Sequence, residues 1–493
     1  MSVVLINPNL VVQKNDPFTT GIVYMPIGLA YLASSLGASG NDVKVIDAFA
    51  AAPGQAFTKG NFVFYGLSKD KLIERFPQNL EVVFIYAINL TNHLSTIEIV
   101  RTVKQHFPLT PIVIVENTQA VTAYALANVR DEFFQAGADY ILTGESEVRG
   151  LKILAALRTG SADELKQIDG IGSRDFYTPP NGYLNETELD TLQFPAWDLF
   201  PIANYWSLHF AHGPLSSKRY LPILTSRGCP YPCGFCVVPA TNNQKWRSRS
   251  AKNVVDEIEY FGKTLGVYEF HLEDLDPTIS DDRVREICRE IIKRKLKVIW
   301  KIAAGTKVET MRDEVTIDLM AKAGCRYISI SPETGSPRLL KLMRKPFNLN
   351  HAVRLVRRMN KVGIRSQACF VLGYPGENEE DLGMTWRLVK ELTRVGVDEI
   401  ALFIVTPVPG SSIHDQFSGY QTLSELNFSP AWRADYSKLN KFRVRLYMNF
   451  LLWKLRYHPL KLIQQPVNFL LRRFQTKMEM VPYRALVLRW LAR

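Results

Sequence analysis

A loop carrying three cysteines constrains this chain more than any other feature. The segment Thr225–Val237 reads TSRGCPYPCGFCV and spaces its cysteines as Cys229-x-x-x-Cys233-x-x-Cys236, directly after an apolar run that reads as a strand, Leu221–Thr225. Three thiolates at this spacing can hold three irons of a cubane cluster and leave the fourth iron open to a small molecule. Gly228 and Gly234 permit tight turns, Pro230 and Pro232 stiffen the loop, and Phe235 offers an aromatic face beside the sulfurs. A closed zinc site would need a fourth ligand at a short paired spacing, whereas His209 and His212 lie upstream in an irregular segment. Cys288, Cys325 and Cys369 stand singly in helix or strand patterns and read as buried apolar residues. No leader precedes the first strand, so a reducing compartment without disulfides is expected.

From Leu221 onward, strand and helix patterns alternate. Strands are expected at Leu221–Thr225, Tyr268–Glu273, Val298–Ala303, Tyr327–Pro332, Ser366–Leu372 and Glu399–Thr406. Helices are expected near 251–265, 281–295, 313–324, 348–362 and 379–395. Helical linkers between strands predict parallel pairing with right-handed crossovers, and six units cannot close an eight-stranded barrel. A partial (β/α)6 barrel over 221–420 follows, with ligands at the carboxyl ends of its strands. Those ends read Glu273-Asp274, Ser331-Pro-Glu333-Thr-Gly335, Gly373-Tyr-Pro-Gly-Glu377 and Thr406-Pro407-Val-Pro-Gly410.

The cysteine spacing, the aromatic before the last cysteine and these four segments in order resemble the radical S-adenosylmethionine (SAM) superfamily. The resemblance implies a 4Fe-4S cluster on Cys229, Cys233 and Cys236. It also implies SAM held by Phe235, Glu273, Asp274, Ser331, Glu333, Gly373 and Pro407. Glu273-Asp274 would meet the methionine ammonium, Glu333 the cofactor's polar end and Gly373 the adenine.

Residues 1–160 alternate again. Strands are expected at Val3–Asn7, Val43–Phe49, Val82–Ala87, Ile112–Val115 and Tyr140–Thr143, with helices from Pro26, over His93–Phe107 and over Val121–Phe134. This predicts a doubly wound α/β domain whose strand ends carry Asn7, Asn89, Thr91, Gly144 and Glu145. Gly144, just before a helix start, could bring backbone amides against a large ligand. A doubly wound domain, a linker over 161–220 and then a cysteine-bearing partial barrel resembles the cobalamin-binding branch of the radical SAM superfamily. The Gly144-Glu-Ser-Glu147 segment and the linker phrase Leu192-Gln-Phe-Pro-Ala-Trp-Asp198 are similar to that branch too.

The resemblance implies cobalamin near Asn7, Asn89, Thr91, Gly144 and Glu145, and reductive cleavage of SAM to a 5′-deoxyadenosyl radical with C-methylation as the net reaction. A radical SAM oxidative cyclase or other rearrangement enzyme with a vestigial cobalamin domain is the alternative. A non-catalytic iron–sulfur partner protein is the third reading. The chain lacks Asp-x-His-x-x-Gly, and it has Glu116-Asn-Thr-Gln119 where relatives usually show Gly-Gly-x-His. Side chains at that turn are expected to crowd a corrin ring, which leaves cobalamin binding open. The substrate and oligomeric state also stay open, and no residue beyond the cluster cysteines is assigned to catalysis.

Charge is unevenly placed. Fourteen Lys or Arg face only Asp435 and Glu479 from Ala431 to Arg493, so the entire net charge of +12 lies there. Leu439, Phe442, Leu446, Phe450 and Trp453 fall on one helical face, and Phe469–Phe474 repeats the theme. A basic helical region over 421–493 is expected, either lying on an anionic membrane or packing its stripe on the barrel. The corresponding localisation is cytoplasmic, with peripheral contact at the inner face of the membrane under the first option. No nucleic-acid module accompanies the charge. Expected partners are a flavodoxin- or ferredoxin-like electron donor and a small-molecule or lipid-like substrate.

Overall fold

The computed structural model describes residues 1–14, 16 and 19–492. Strands β1 (Ser2–Asn7), β2 (Asp42–Asp47), β3 (Leu80–Ala87), β4 (Ile112–Glu116) and β5 (Tyr140–Leu142) form a parallel sheet in the order β2-β1-β3-β4-β5. β1, β3 and β4 are nearly unbroken apolar runs, as a sheet covered on both faces requires. Strand order reverses between β1 and β3, and Asn7 and Asn89 lie at that switch point.

Two features depart from expectation. A further strand, β6 (Ile171–Gly172), adds antiparallel to β5, so the first sheet reaches past residue 160. Thr143 N–H donates to Gly170 O and Thr178 N–H to Ile171 O, and the returning chain thereby covers an otherwise open edge. The expected helix over Val121–Phe134 is reduced to Arg130–Ala136 after a 3-10 turn at Leu126–Asn128. Its first half is drawn away, because Leu126 N–H donates to the Glu116 carboxylate and Ala125 N–H to Pro409 O. The stretch without clear periodicity contributes to a small antiparallel sheet of Leu10–Gln13, Ala56–Lys59 and Phe62–Tyr65.

In the second half, β7 (Leu221–Ile223), β8 (Glu269–Leu272), β9 (Ile299–Thr306), β10 (Cys325–Glu333), β11 (Arg365–Leu372) and β12 (Glu399–Ile404) are parallel and pair only with sequence neighbours. One face gives Phe270, Trp300, Ile328, Phe370 and Ile400 to a core shared with the crossover helices. The helix Leu349–Val362 shows why: Asn348 caps it, and Ala352, Val353, Leu355, Val356 and Met359 place one apolar stripe on the sheet. The other face is polar and bonds within itself. Lys301 Nζ lies 2.7 Å from Glu269, and Tyr327 Oη donates to Glu399 over β11 at 2.5 Å.

Three helices end the described chain: α1 (Tyr436–Tyr457), α2 (Pro459–Leu471) and α3 (Lys477–Leu491). The stripe read as a membrane face is turned inward. Leu439, Leu446 and Phe450 are buried, and Phe442 and Trp453 pack around Trp386 at ring separations of 5.9 and 5.7 Å. α3 starts against the sheet, where Met478 N–H donates to Glu399 and Lys477 Nζ to Ala303 O. Farther along α3, Leu488 O accepts from Tyr65 Oη of the first domain. Among the described residues, no helix is long and apolar enough to cross a membrane.

Candidate active site

The cysteine loop is fixed by its glycines and by its neighbours. Gly228 has φ +77°, and a Cβ there would lie 1.9 Å from Lys245 O, so the turn demands glycine. Gly234 N–H donates to Met343 O, its carbonyl accepts from Ser412 Oγ, and a Cβ would meet the Tyr374 hydroxyl at 2.6 Å. Phe235 meets Tyr374 edge-on at 6.5 Å, and Lys307 Nζ stands 3.4 Å over the Tyr231 ring. Cys229, Cys233 and Cys236 are partly exposed and lie within electrostatic reach of one another. Burial pushes the Cys229 thiol up to about 12 and raises the other two, so binding metal there would displace protons. Among the described residues, no three His, Cys, Asp or Glu side chains gather around a single ion.

Carboxylates and lysines surround the sulfurs. Asp276 sits near Cys229, and Glu309, Lys307, Glu333 and Lys345 sit near Cys233. Glu333 ends β10 with φ +61°, an outlier for a non-glycine residue, and its carboxylate lies 2.6 Å from Lys345 Nζ. Burial pulls Lys345 down, but the Glu333 and Cys233 charges more than offset it and hold the ammonium above its usual range. Ser331 O accepts from the same ammonium. Asp276 Oδ2 and Glu309 Oε2 are buried and have no hydrogen-bond partner. Two unpartnered carboxylate oxygens beside a cysteine loop suit a cationic ligand such as the ammonium and sulfonium of SAM. Sequence reading passed over Asp276, Glu309, Lys307 and Lys345. The available signal was that Asp276 follows a strand end and that Lys307 and Glu309 follow the next.

Other expected SAM contacts are placed differently. Asp274 is fully buried and accepts from the backbone and hydroxyls of both Thr225 and Ser226, so it anchors the entry to the cysteine loop. Glu273 pairs with His212 Nδ1 at 2.7 Å and turns toward the first domain. Gly373 is covered, since a Cβ would meet Leu439 at 2.4 Å and its carbonyl accepts from Arg433. Pro407 is buried in a segment whose neighbours Thr406 and Val408 border first-domain residues Asn89 and Thr91.

The first domain's strand ends are largely engaged by protein. Asn7 bonds to Asp47 and Tyr205, and Asn89 Oδ1 accepts from Thr91 Oγ1 and Asn92 N–H. Gly144 N–H donates to Glu116, whose carboxyl burial pushes up to about 7. A Cβ on Gly144 would strike Arg149 and Pro180, so this glycine does not open onto a ligand. Glu145 pairs with Arg247 at 2.8 Å and Glu147 with Arg227 at 2.6 Å, all four side chains being nearly buried. The Gly144–Glu147 segment therefore clamps the strand that leads into the cysteine loop. The turn at 116–119 is partly engaged by protein and partly faces a cleft. Glu116 is spent on Leu126 and Gly144, and Thr118 O accepts from Asn242, while Asn117 and Gln119 border open space.

That open space is a narrow cleft between the two sheets. Tyr24, Met25, Ile27, Tyr86 and Ile88 line it from the first domain, and His212, Tyr220, His271, Glu273 and Leu275 from the second half. Gln119 Oε1, on its border, is buried without a hydrogen-bond partner. Apolar walls with a few polar groups at the rim are the ordinary lining of a small-molecule site. The Tyr24 ring lies 4.6 Å from His212. Burial lowers the His212 pKa despite the neighbouring Glu273 charge.

Residues 223–389 match the family model described as the radical SAM superfamily. The fold and the three-cysteine loop thus define a radical SAM protein. A cytidylyl-2-hydroxyethylphosphonate methyltransferase of Streptomyces wedmorensis is 28% identical, with 83% of this chain and 80% of that protein covered. An anaerobic magnesium-protoporphyrin IX monomethyl ester cyclase of Rubrivivax gelatinosus is 31% identical over 51% of this chain and 45% of its own. The structure of TsrM, a radical SAM methyltransferase from Kitasatospora setae with cobalamin and a 4Fe-4S cluster bound, aligns with a TM-score of 0.63 at 20% identity, covering 85% of this chain and 76% of that one. Residues 223–389 thus form a radical SAM domain, and most of the chain shares its fold with a radical SAM methyltransferase of known structure.

Proposed function

We propose that the chain is a radical SAM C-methyltransferase that uses cobalamin. The observation that carries this reading is the cleft joining the first domain's strand ends to the sheet that bears the cysteine loop. A 4Fe-4S cluster held by Cys229, Cys233 and Cys236, with electrons from a flavodoxin- or ferredoxin-like donor, would supply the one-electron chemistry for reductive cleavage of SAM. Cobalamin, when bound, supplies the methyl group, and its place would be the cleft bordered by Asn117, Gln119 and Thr122.

The chain's own residues then divide the work. Cys229, Cys233 and Cys236 hold the cluster, and Asp276 and Glu309 meet the cationic end of SAM. Glu333 with Lys345 positions the same cofactor beside Cys233, and Phe235 walls it. Tyr24, Ile27 and Ile88 keep water from the cleft, which protects a reactive carbon. His212, held between Glu273 and Lys477, borders the same cleft.

Incubation with methyl-labelled SAM and cell extract tests the reaction. Label transferred to a small molecule supports methylation. The likeness to a cyclase over half the chain favours oxidative ring formation as the second reading, which would leave 5′-deoxyadenosine and an unlabelled product. Glu333→Gln tests the cofactor site: it leaves Lys345 unneutralised and should weaken SAM binding by about 1.5–3 kcal/mol, roughly 10- to 150-fold. Iron content should hold. Equilibrium dialysis on reconstituted protein measures this, and an unchanged affinity would move SAM away from β10.

A further inference from the structure

Between Tyr436 and Arg473 the chain has nine Lys or Arg and no Asp or Glu. α1 presents a second apolar row, Val444, Met448, Leu452 and Leu455, opposite the stripe packed on the core, and each residue is more than half exposed. α2 continues it with Leu460, Ile463, Val467 and Leu470, also more than half exposed, and that helix has no fully buried residue. Only His458 separates the two helices. Eight aliphatic side chains on two consecutive helices far exceed the scattered exposure normal for a soluble surface.

Charge sorts around these rows. Lys454 Nζ turns inward to Asp398 O at 2.6 Å, and Lys461 Nζ to the Asp398 carboxylate at 2.9 Å. Lys441, Arg445, Arg456, Arg472 and Arg473 stay exposed. We propose that the outer faces of α1 and α2 dock on an anionic lipid bilayer. Aliphatic rows would enter the headgroup boundary, and the arginines and lysines would meet lipid phosphates. Nucleic acid would match the charge but leave the aliphatic rows in water. This surface lies outside the cysteine loop and the cleft, so the proposal stands independently of the chemistry assigned above.

Flotation of the full chain with vesicles tests it. The protein should rise with phosphatidylglycerol-rich vesicles at low salt, stay behind with pure phosphatidylcholine, and bind less as salt screens the charges. Arg472→Gln with Arg473→Gln should weaken binding about 30-fold, since each basic residue near such a surface counts for about a factor of five or more. Ile463→Glu with Leu470→Glu should abolish flotation while thermal unfolding and iron content stay as in the wild type, because neither side chain is packed. A wild type that ignores anionic vesicles overturns the proposal, as does a glutamate variant that floats unchanged. A wild-type dimer that the glutamate variant splits would also overturn it, by assigning the face to a second copy of this chain.

Discussion

Alanine at Cys233 is expected to abolish SAM cleavage outright. Three thiolates are the fewest that hold a cubane with a single open iron, and this loop offers only Cys229, Cys233 and Cys236. Losing one would leave two irons without protein ligands. Anaerobically reconstituted wild type should carry about four irons per chain, the count of one cubane. The triple alanine variant should carry essentially none, and 5′-deoxyadenosine should fall to background in both variants. Cys288→Ala serves as the control: Cys288 is buried in the helix Asp281–Lys293, and its replacement should leave iron unchanged. Wild type that binds one zinc and no iron would overturn the assignment.

Removing Glu147 should destabilise the protein nearly as severely as losing a core aromatic. Its carboxylate lies 2.6 Å from Arg227, whose guanidinium is nearly buried and stands 5.0 Å from the Tyr31 ring. Taking away one member of a buried pair leaves the other charge short of a partner, at up to about 3–5 kcal/mol, part of which Glu145, 4.0 Å from Arg227, offsets. Burial alone would lower the Arg227 pKa, and Glu147 and Glu145 hold it above its usual range instead. Glu147→Ala should therefore lower the denaturant midpoint sharply. It should also speed loss of iron, because Arg227 directly precedes the cysteine loop. Glu147→Ala with Arg227→Met should recover much of the stability by removing the stranded charge. A single variant within about 1 kcal/mol of wild type would show that the clamp does not hold the loop.

The cysteine loop and the six parallel strands of its sheet were legible because their signals are local: a fixed spacing, and apolar runs separated by helical periods. The direction of a strand-end side chain is not local. Asp274 and Glu145 stand where a cofactor could lie, yet one anchors Thr225 and Ser226 and the other pairs with Arg247, partners distant in sequence. Asp276 and Glu309 were passed over because nothing in their own segments marks an oxygen without a partner. In α1 both opposite faces are apolar, so a spacing of three and four finds each row but not which one the core takes. The Leu439–Trp453 row won because Trp386 supplies a surface for its aromatic members.

α3 bears on the order in which the molecule can be completed. Domains generally fold from the amino end as the chain is synthesised. Yet Glu399, on the polar face of β12, accepts a hydrogen bond from a helix made after everything it touches, and Tyr65, in the first domain, donates one to it. Until residues 477–491 leave the ribosome, the polar face of β12 and the hairpin around Tyr65 stay partly open to water. The helix that ties the second sheet to the first domain is therefore the last part of the fold to be put in place.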